Sequence, residues 1–390
     1  RGIRVTLLQL EDQIMTPFDY DMACILHSHL REKGIDLRLF HKVTSLYKSG
    51  NQVIAEIEGK ENISADIALV AIGVLPETEL AADANLALGT KGAVLVDEHM
   101  RTSDPDIFAV GDAVLIKNNL TGQDTLIPLA GPANKQGRIA ADNIANIASS
   151  YKGAQGSSVL KLFDMTAAAT GLNERAALSA GFDTDNVLLF LSDHATYYPG
   201  ASMMSIKVLW EKKTHKIIGA QIVGFDGVDK RMDVLATAIR FGAKVTDLAD
   251  LELCYAPPFG SAKDPVNMIG FIAENVISGK VKQFFWHDVE NLPRDGSMTL
   301  LDTRTATERQ RGSINGFIHI PLDSLRENLH LLPKNKPVYV HCHSGLRSYI
   351  ACRILSGSGY DCYNLAGGWR LYESVINERN VPPYICTECK

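Results

Sequence analysis

Near the C-terminal end, Val338 to Val340 run into His341-Cys342-His343-Ser344-Gly345-Leu346-Arg347-Ser348, and a helix follows. Strand, cysteine loop and helix start form one device. Successive loop amides make an anion-binding nest, to which the helix dipole and Arg347 add positive charge. Such a field is expected to stabilise a thiolate or persulfide at Cys342. A buried, inert cysteine would need no such loop. A second stretch with chemical content is Thr102-Ser-Asp-Pro-Asp106-Ile-Phe-Ala-Val-Gly111-Asp112-Ala113. It predicts a turn, a short apolar strand from Ile107 to Val110, a glycine where backbone can approach a pyrophosphate, and a carboxylate able to accept hydrogen bonds from ribityl hydroxyls. Gly-Asp alone is an ordinary turn; the length of the whole run is what points to a flavin.

The elements that position these residues must come from a chain of 390 residues, enough for two to four domains each with a core. Hydrophobic content of 46% and charged content of 22% are those of a soluble globular protein, and a net charge of -6 disfavours nonspecific nucleic-acid binding. No apolar run reaches membrane-spanning length, and Ile67 to Leu75 reads as a buried strand. Seven cysteines, an odd number with no signal peptide, suggest a reducing cytoplasm. The chain opens without methionine and holds no G-x-G-x-x-G after a strand, so an N-terminal truncation is expected.

In order, Val5 to Gln9 form an apolar strand. In a dinucleotide fold its end would grip a ribose hydroxyl; Gln9 stands there and Glu11 is displaced, leaving NADH and NADPH both open. Thr16-Pro17 predicts a helix start and Gly34 its stop, with Met22, Ile25, Leu26 and Leu30 facing a sheet. Strand Ile35 to Phe40 follows, then a hairpin turning at Ser49-Gly50-Asn51 and a strand from Ile67 to Ile72 ending at Gly73. Ile127-Pro128-Leu129-Ala130-Gly131-Pro132 leads into a helix whose amides and positive dipole end face outward. Tyr151 to Ser158 reads as a linker. Beyond it, strands Ser205 to Trp210 and Ile217 to Val223 form a hairpin flanked by helices Val228 to Phe241 and Asp264 to Ile277.

The run ending Gly111-Asp112 resembles the second FAD motif of the pyridine nucleotide-disulfide oxidoreductases, and the resemblance covers residues 1 to about 278. It implies an α/β chain with partial FAD- and NAD(P)-binding Rossmann-like domains, an α+β dimerisation domain, and, by the motifs below, an α/β rhodanese domain. The expected boundaries are 1–78 for the partial NAD(P) domain, 79–150 for the C-terminal part of the FAD domain, 157–279 for dimerisation, 285–379 for rhodanese, and 380–390 for a tail. FAD contacts are expected at Thr102, Asp106, Gly111, Asp112, Pro128, Leu129, Ala130 and Tyr255, and nicotinamide-cofactor contacts at Gln9 and Gly73. The resemblance also places the first FAD loop and the redox cysteine in the expected missing segment.

No His-Glu acid-base pair stands where glutathione-reductase-like members carry one. Instead, His194-Ala-Thr-Tyr197-Tyr198-Pro-Gly and Tyr255-Ala-Pro-Pro-Phe-Gly-Ser-Ala-Lys263 resemble the coenzyme A-disulfide reductase branch. The branch implies a cytoplasmic homodimer in which Tyr197 and Tyr255 work beside a redox cysteine of the other subunit, and Lys263 and Asn134 contact coenzyme A. Asp302, Arg304, Glu308, Gly312 to Gly316, His319-Ile-Pro321 and Ala366-Gly367-Gly368-Trp369 resemble a rhodanese domain around Cys342. A cysteine loop closed by an arginine is also seen in small tyrosine phosphatases, but these flanking residues favour rhodanese. That makes Cys342 and Arg347 catalytic and His343, Ser344, Gly345, Leu346 and Ser348 substrate-binding. The implied activity is NAD(P)H-driven reduction of coenzyme A disulfide, coenzyme A persulfide or polysulfide. The alternatives are a sulfurtransferase on a dimeric scaffold and an NAD(P)H oxidase or peroxidase. Cys386 and Cys389 read as unpaired tail thiols, Cys24, Cys352 and Cys362 as packing residues, and no metal site is expected.

Overall fold

A computed structural model describes residues 2–381; the two tail cysteines lie outside these residues. The first segment holds β1 (Thr6–Leu8), α1 (Tyr20–Glu32) and β2 (Asp36–Arg38), with β1 and β2 parallel, followed by the antiparallel sheet β3 (Val43–Ser49), β4 (Gln52–Ile57) and β5 (Ile63–Ala65). The hairpin turns at Gly50-Asn51, as its sequence predicts.

Helix α1 begins later than Thr16-Pro17 suggests. Asp19 takes the N-cap position but caps no helical amide, because its carboxylate accepts from Gln221 Nε2 at 2.7 Å and Glu174 N at 2.8 Å and lies 3.1 Å from Lys207 Nζ. A second correction concerns residues 66–76. They form no strand and no hydrogen bond among the described residues, and Ile67, Leu69 and Ile72 are 83%, 91% and 92% exposed. A strand exists only through its ladder partners, and this run pairs with neither β1–β2 nor β3–β5.

Next come the short α2 (Glu79–Asp83), β6 (Val94–Leu95), β7 (Val114–Lys117), β8 (Asp124–Thr125) and α3 (Ala130–Ile144). The expected strand from Ile107 to Val110 is reduced to one bridge, Phe108 with Arg101, because Thr102 spends its Oγ1 and amide on the turn through Asp104 and Ile107.

The largest core surrounds the antiparallel sheet β11-β12-β13-β10-β9, built from β9 (Ser157–Leu162), β10 (Met165–Gly171), β11 (Thr184–Ser192), β12 (Met203–Glu211) and β13 (Ile217–Gly224), with α4 (Glu174–Ser179) between β10 and β11. Its central strands are buried on both sides, and the polar residues they carry, Ser205, Lys207 and Gln221, are buried with them. One face packs on α5 (Val228–Arg240) and α6 (Pro265–Ile277) through Leu235, Ile239, Val266 and Ile269. The other face packs Leu188, Phe190 and Val223 on Phe18, Met22 and Leu26 at α1, and on Leu371 of the C-terminal unit.

That unit is a parallel sheet in the order β14-β18-β17-β15-β16, formed by β14 (Lys282–Phe284), β15 (Thr299–Asp302), β16 (Ile318–His319), β17 (Val338–His341) and β18 (Cys362–Leu365), with α7 (Ala306–Gln310), α8 (Leu346–Gly357) and α9 (Gly368–Arg379). It is fastened to the rest of the chain by Arg31 on Glu378, Gln283 on the carbonyl of Asn186, and Arg353 on the carbonyl of Lys280. Among the described residues no helix is long and apolar enough to cross a membrane.

Candidate active sites

Parallel pairing of β15 and β17 brings the ends of both strands to one edge, where Cys342 leaves β17 and α8 begins. Gly345 turns the chain with φ +101°, a conformation that L side chains rarely adopt, and its amide then points at Cys342 Sγ from 3.1 Å. Ser348 Oγ, one turn into α8, reaches the same sulfur at 3.2 Å. Two donors therefore converge on a sulfur at the floor of the loop. Cys342 has 0% exposure, so a donor molecule reaches it only when loop side chains move aside. His343 and Ser344 line the half-buried wall, and Leu346 is exposed at the rim.

Under the loop, Asp302, Arg304 and His341 are all fully buried. Arg304 grips Asp302 through Nε and Nη2 at 2.8 to 3.2 Å. Burial pushes the Asp302 carboxyl up, but the Arg304 hydrogen bonds and nearby His341 outweigh it and hold it below the usual range. The His341 imidazole is driven down to about 4 by burial, so it is neutral at pH 7. Arg347 makes a bidentate pair with Glu308 at 2.6 and 2.7 Å, and Glu308 also accepts from the amide and hydroxyl of Thr305. The Arg347 hydrogen bonds hold the Glu308 carboxyl down at about 2. Sequence spacing marks Glu308 but carries no sign of this pairing.

The turn into α9 closes the loop from behind. Trp369 N donates to the Cys342 carbonyl and Arg370 N to the His343 carbonyl, both at 2.8 Å. A Cβ on Gly368, whose φ is +60°, would meet the Cys342 oxygen at 2.8 Å and Gly345 N at 2.9 Å. We expect Gly368→Ala to combine backbone strain of about 1–3 kcal/mol with a displaced loop, cutting sulfur transfer at Cys342 by roughly tenfold or more. Equal thiosulfate turnover in mutant and parent would refute this.

A second site lies at the end of β11. Tyr197 Oη and Tyr255 Oη are 3.2 Å apart over a cleft of about 340 Å³ lined by His194, Ser261 and Lys263. The Tyr197 hydrogen bond raises the Tyr255 phenol pKa. Tyr198 instead meets the edge of the His194 ring. Asp193, invisible as a site residue in the sequence, braces this loop: it pairs with His194 Nδ1 at 2.8 Å and accepts from Ser202, and its carbonyl accepts from Arg231 at 2.6 Å. Arg231 is itself locked on Asp264, which caps α6. Lys263 is exposed and has no carboxylate partner among the described residues.

The third region gathers Gly111, Asp112 and the start of α3. Gln136 Oε1 accepts from the Gly111 amide at 2.6 Å and so ties the glycine turn to the helix. Gly111 has φ +89° with nothing within 4 Å of where a Cβ would stand, Asp112 is exposed, and no side chain caps α3 at Leu129. An open glycine, a solvent-facing carboxylate and an uncapped helix start side by side fit one edge of FAD, with Pro128, Leu129 and Ala130 supplying the helix end. Thr102 and Asp106 serve their own turn here. Asn134 bonds back to the Ala130 carbonyl, and Gln9 is engaged with Gln13 and Leu10. Gly73, with φ +99°, lies in the exposed 66–76 run. Among the described residues no His/Cys/Asp/Glu cluster could hold a metal ion.

Comparison with known proteins agrees with this layout. Residues 1–137 match the pyridine nucleotide-disulphide oxidoreductase family, residues 157–265 its dimerisation domain, and residues 286–374 the rhodanese-like domain. The crystal structure of reduced Bacillus anthracis CoADR-RHD superposes with a TM-score of 0.93 at 44% identity, over 97% of this chain and 68% of that one. An NAD-dependent persulfide reductase from A. fulgidus gives a TM-score of 0.87 at 37% identity, over 95% of this chain and 67% of that one. Coenzyme A disulfide reductase of Staphylococcus epidermidis is 31% identical over 275 residues, 70% of this chain and 61% of the relative, so the chain spans about three-fifths of that relative's length. The chain belongs to the pyridine nucleotide-disulphide oxidoreductase family and carries a rhodanese-like domain after its dimerisation domain.

Proposed function

We propose that this chain forms part of a homodimeric, cytoplasmic, FAD-dependent NAD(P)H oxidoreductase acting on coenzyme A disulfide, coenzyme A persulfide or polysulfide, with the rhodanese unit carrying sulfane sulfur on Cys342. The observation that carries this reading is the convergence of Gly345 N and Ser348 Oγ on Cys342 Sγ, in a unit packed directly on the sheet that also bears Tyr197. The Bacillus anthracis and A. fulgidus relatives support it by name.

In this reading the units follow the boundaries 1–78, 79–150, 157–279 and 285–379. Gly111, Asp112 and Pro128 to Ala130 hold one edge of FAD, which when bound supplies electron transfer from the nicotinamide cofactor to sulfur. Tyr197 and Tyr255 share one hydrogen bond, so one hydroxyl is free to donate to a leaving coenzyme A thiolate while the other orients it. Lys263 offers an unpaired ammonium to the phosphates. At the rhodanese loop the Cys342 thiolate attacks an outer sulfur, the donor S–S bond breaks, and the electron pair departs with the donor's remaining half. Gly345 N and Ser348 Oγ then hold the persulfide.

The test uses the FAD-loaded holoenzyme, reduced anaerobically with NADH and mixed with coenzyme A persulfide or coenzyme A disulfide. Flavin reoxidation within the turnover time is the expected result. Reoxidation by oxygen alone would remove the disulfide and persulfide readings.

A further inference from the structure

Three arginines border the Cys342 loop, Arg304 beneath it, Arg347 on α8 and Arg370 on the turn into α9, and they differ in what holds them. Arg304 is buried on Asp302, and Arg347 is neutralised by the two-pronged contact with Glu308. Arg370 has no carboxylate partner among the described residues. Its backbone amide closes the loop on the His343 carbonyl, and its guanidinium lies 5.1 Å from the centre of the Phe190 ring on β11. Partial burial without a counter-ion lowers its pKa from the ordinary arginine value. The amide contact sets Arg370 directly against the residue that follows Cys342. A half-buried guanidinium with no acid beside it is costly to keep unless an anion visits.

We propose that Arg370 is the specificity-determining residue of the sulfur cradle: it receives the anionic end of the donor, such as the sulfonate of thiosulfate, while Phe190 of the dimerisation sheet holds its guanidinium in place. The assignment rests on the sulfur-carrier reading of Cys342. With thiosulfate, the Cys342 thiolate bonds to the outer sulfur, the donor S–S bond breaks, and sulfite leaves with the electron pair; no other oxidant or reductant enters. Arg347 is a poor candidate for this contact, since an incoming anion would first have to displace a carboxylate fixed by Thr305. Arg370 displaces nothing. The anion site is thereby shared between two units, and a rhodanese unit lifted off β11 would lose the surface that orients its free cation.

The test compares alkylation of Cys342 by iodoacetate and by neutral iodoacetamide, followed at that peptide by mass spectrometry, in the parent chain, Arg370→Gln and Arg370→Lys. Losing one charge-assisted contact should slow iodoacetate by roughly ten- to a hundredfold in Arg370→Gln while leaving iodoacetamide unchanged, and should raise the KM for thiosulfate more than it lowers kcat. Arg370→Lys should recover most of the iodoacetate rate. An unchanged ratio of the two reagents, or equal slowing of both, overturns the assignment, because equal slowing marks a structural effect on the loop. A parent Cys342 that is alkylated with the anionic preference but never takes sulfur from thiosulfate overturns the carrier reading and the donor together, a result distinct from a flat ratio.

Discussion

Cys342→Ala abolishes persulfide formation and lowers thiosulfate sulfur transfer by roughly a thousandfold or more, the scale of losing a covalent nucleophile. No other described cysteine can substitute. Cys24 is buried on the inner face of α1, and burial drives its pKa far up. Cys352 is pushed up by its hydrogen bond with Cys362 and by burial. That same hydrogen bond lowers Cys362, but the thiol stays packed in the core beside Val338 and Leu355. Cys254 is exposed and has no cradle around it. The fold should survive, because alanine fills most of the space and only Gly345 N and Ser348 Oγ lose an acceptor, a cost of about 1 kcal/mol. The readout is the sulfane-sulfur mass shift on each cysteine peptide after thiosulfate, with NADH-driven persulfide turnover measured in parallel on the holoenzyme. A mutant that still loads sulfur elsewhere and turns over normally would end the role given to Cys342. If persulfide turnover persists while loading is lost, the two centres work independently and the relay between them is gone.

What the sequence made legible was local. The turn at Gly50-Asn51, the hairpin of β12 and β13, helices α5 and α6, and the strand-loop-helix at Cys342 each follow from periodicity or turn chemistry within about fifteen residues. What escaped were pairings made across the fold. A lysine in the middle of a strand reads as a surface residue, and nothing near Lys207 in the chain announces the carboxylates of Asp19 and Asp21. Glu308 and Arg347 are marked by spacing, but their union, which decides that Arg370 is the free cation, exists only once α7 and α8 share an edge. The reverse error arose at residues 66–76. Its composition is that of a buried strand, yet composition cannot supply a neighbouring edge. At Gly111 the motif marks the glycine turn, while the residue that ties it to α3, Gln136, sits on that following helix and carries no motif.

Lys207→Met should destabilise the sheet unit by about 3–5 kcal/mol at pH 7, the cost of removing one partner from a buried ion cluster. Lys207 stands on β12 at 2% exposure, with Nζ 3.0 Å from Asp21, 3.1 Å from Asp19 and 3.1 Å from Glu174. Burial alone would lower its pKa, but the three carboxylates more than reverse this, so the ammonium stays charged throughout the working range. Methionine matches the stem in volume, which confines the loss to charge. Asp19 would then keep only Gln221 Nε2 and Glu174 N as donors and Asp21 only the amide of Met22, leaving two unneutralised carboxylates in the core that push α1 from β12 and β13. The pH dependence gives the decisive sign. Stranded carboxylates have folded-state pKa values raised above the unfolded ones, so the mutant's folded state binds more protons than its unfolded state, and its deficit shrinks as pH falls toward 5. A simple packing defect would cost the same at both pH values. Denaturant unfolding at pH 7 and pH 5, followed by the buried Trp210 on the same strand, separates the two. A deficit under about 1 kcal/mol, or one independent of pH, would show that the cluster does not fasten α1 to the sheet. The same argument explains why α1 forgoes an ordinary N-cap: Asp19 stabilises the chain more by meeting Lys207, Gln221 and Glu174 N than a capping bond of about 1 kcal/mol would.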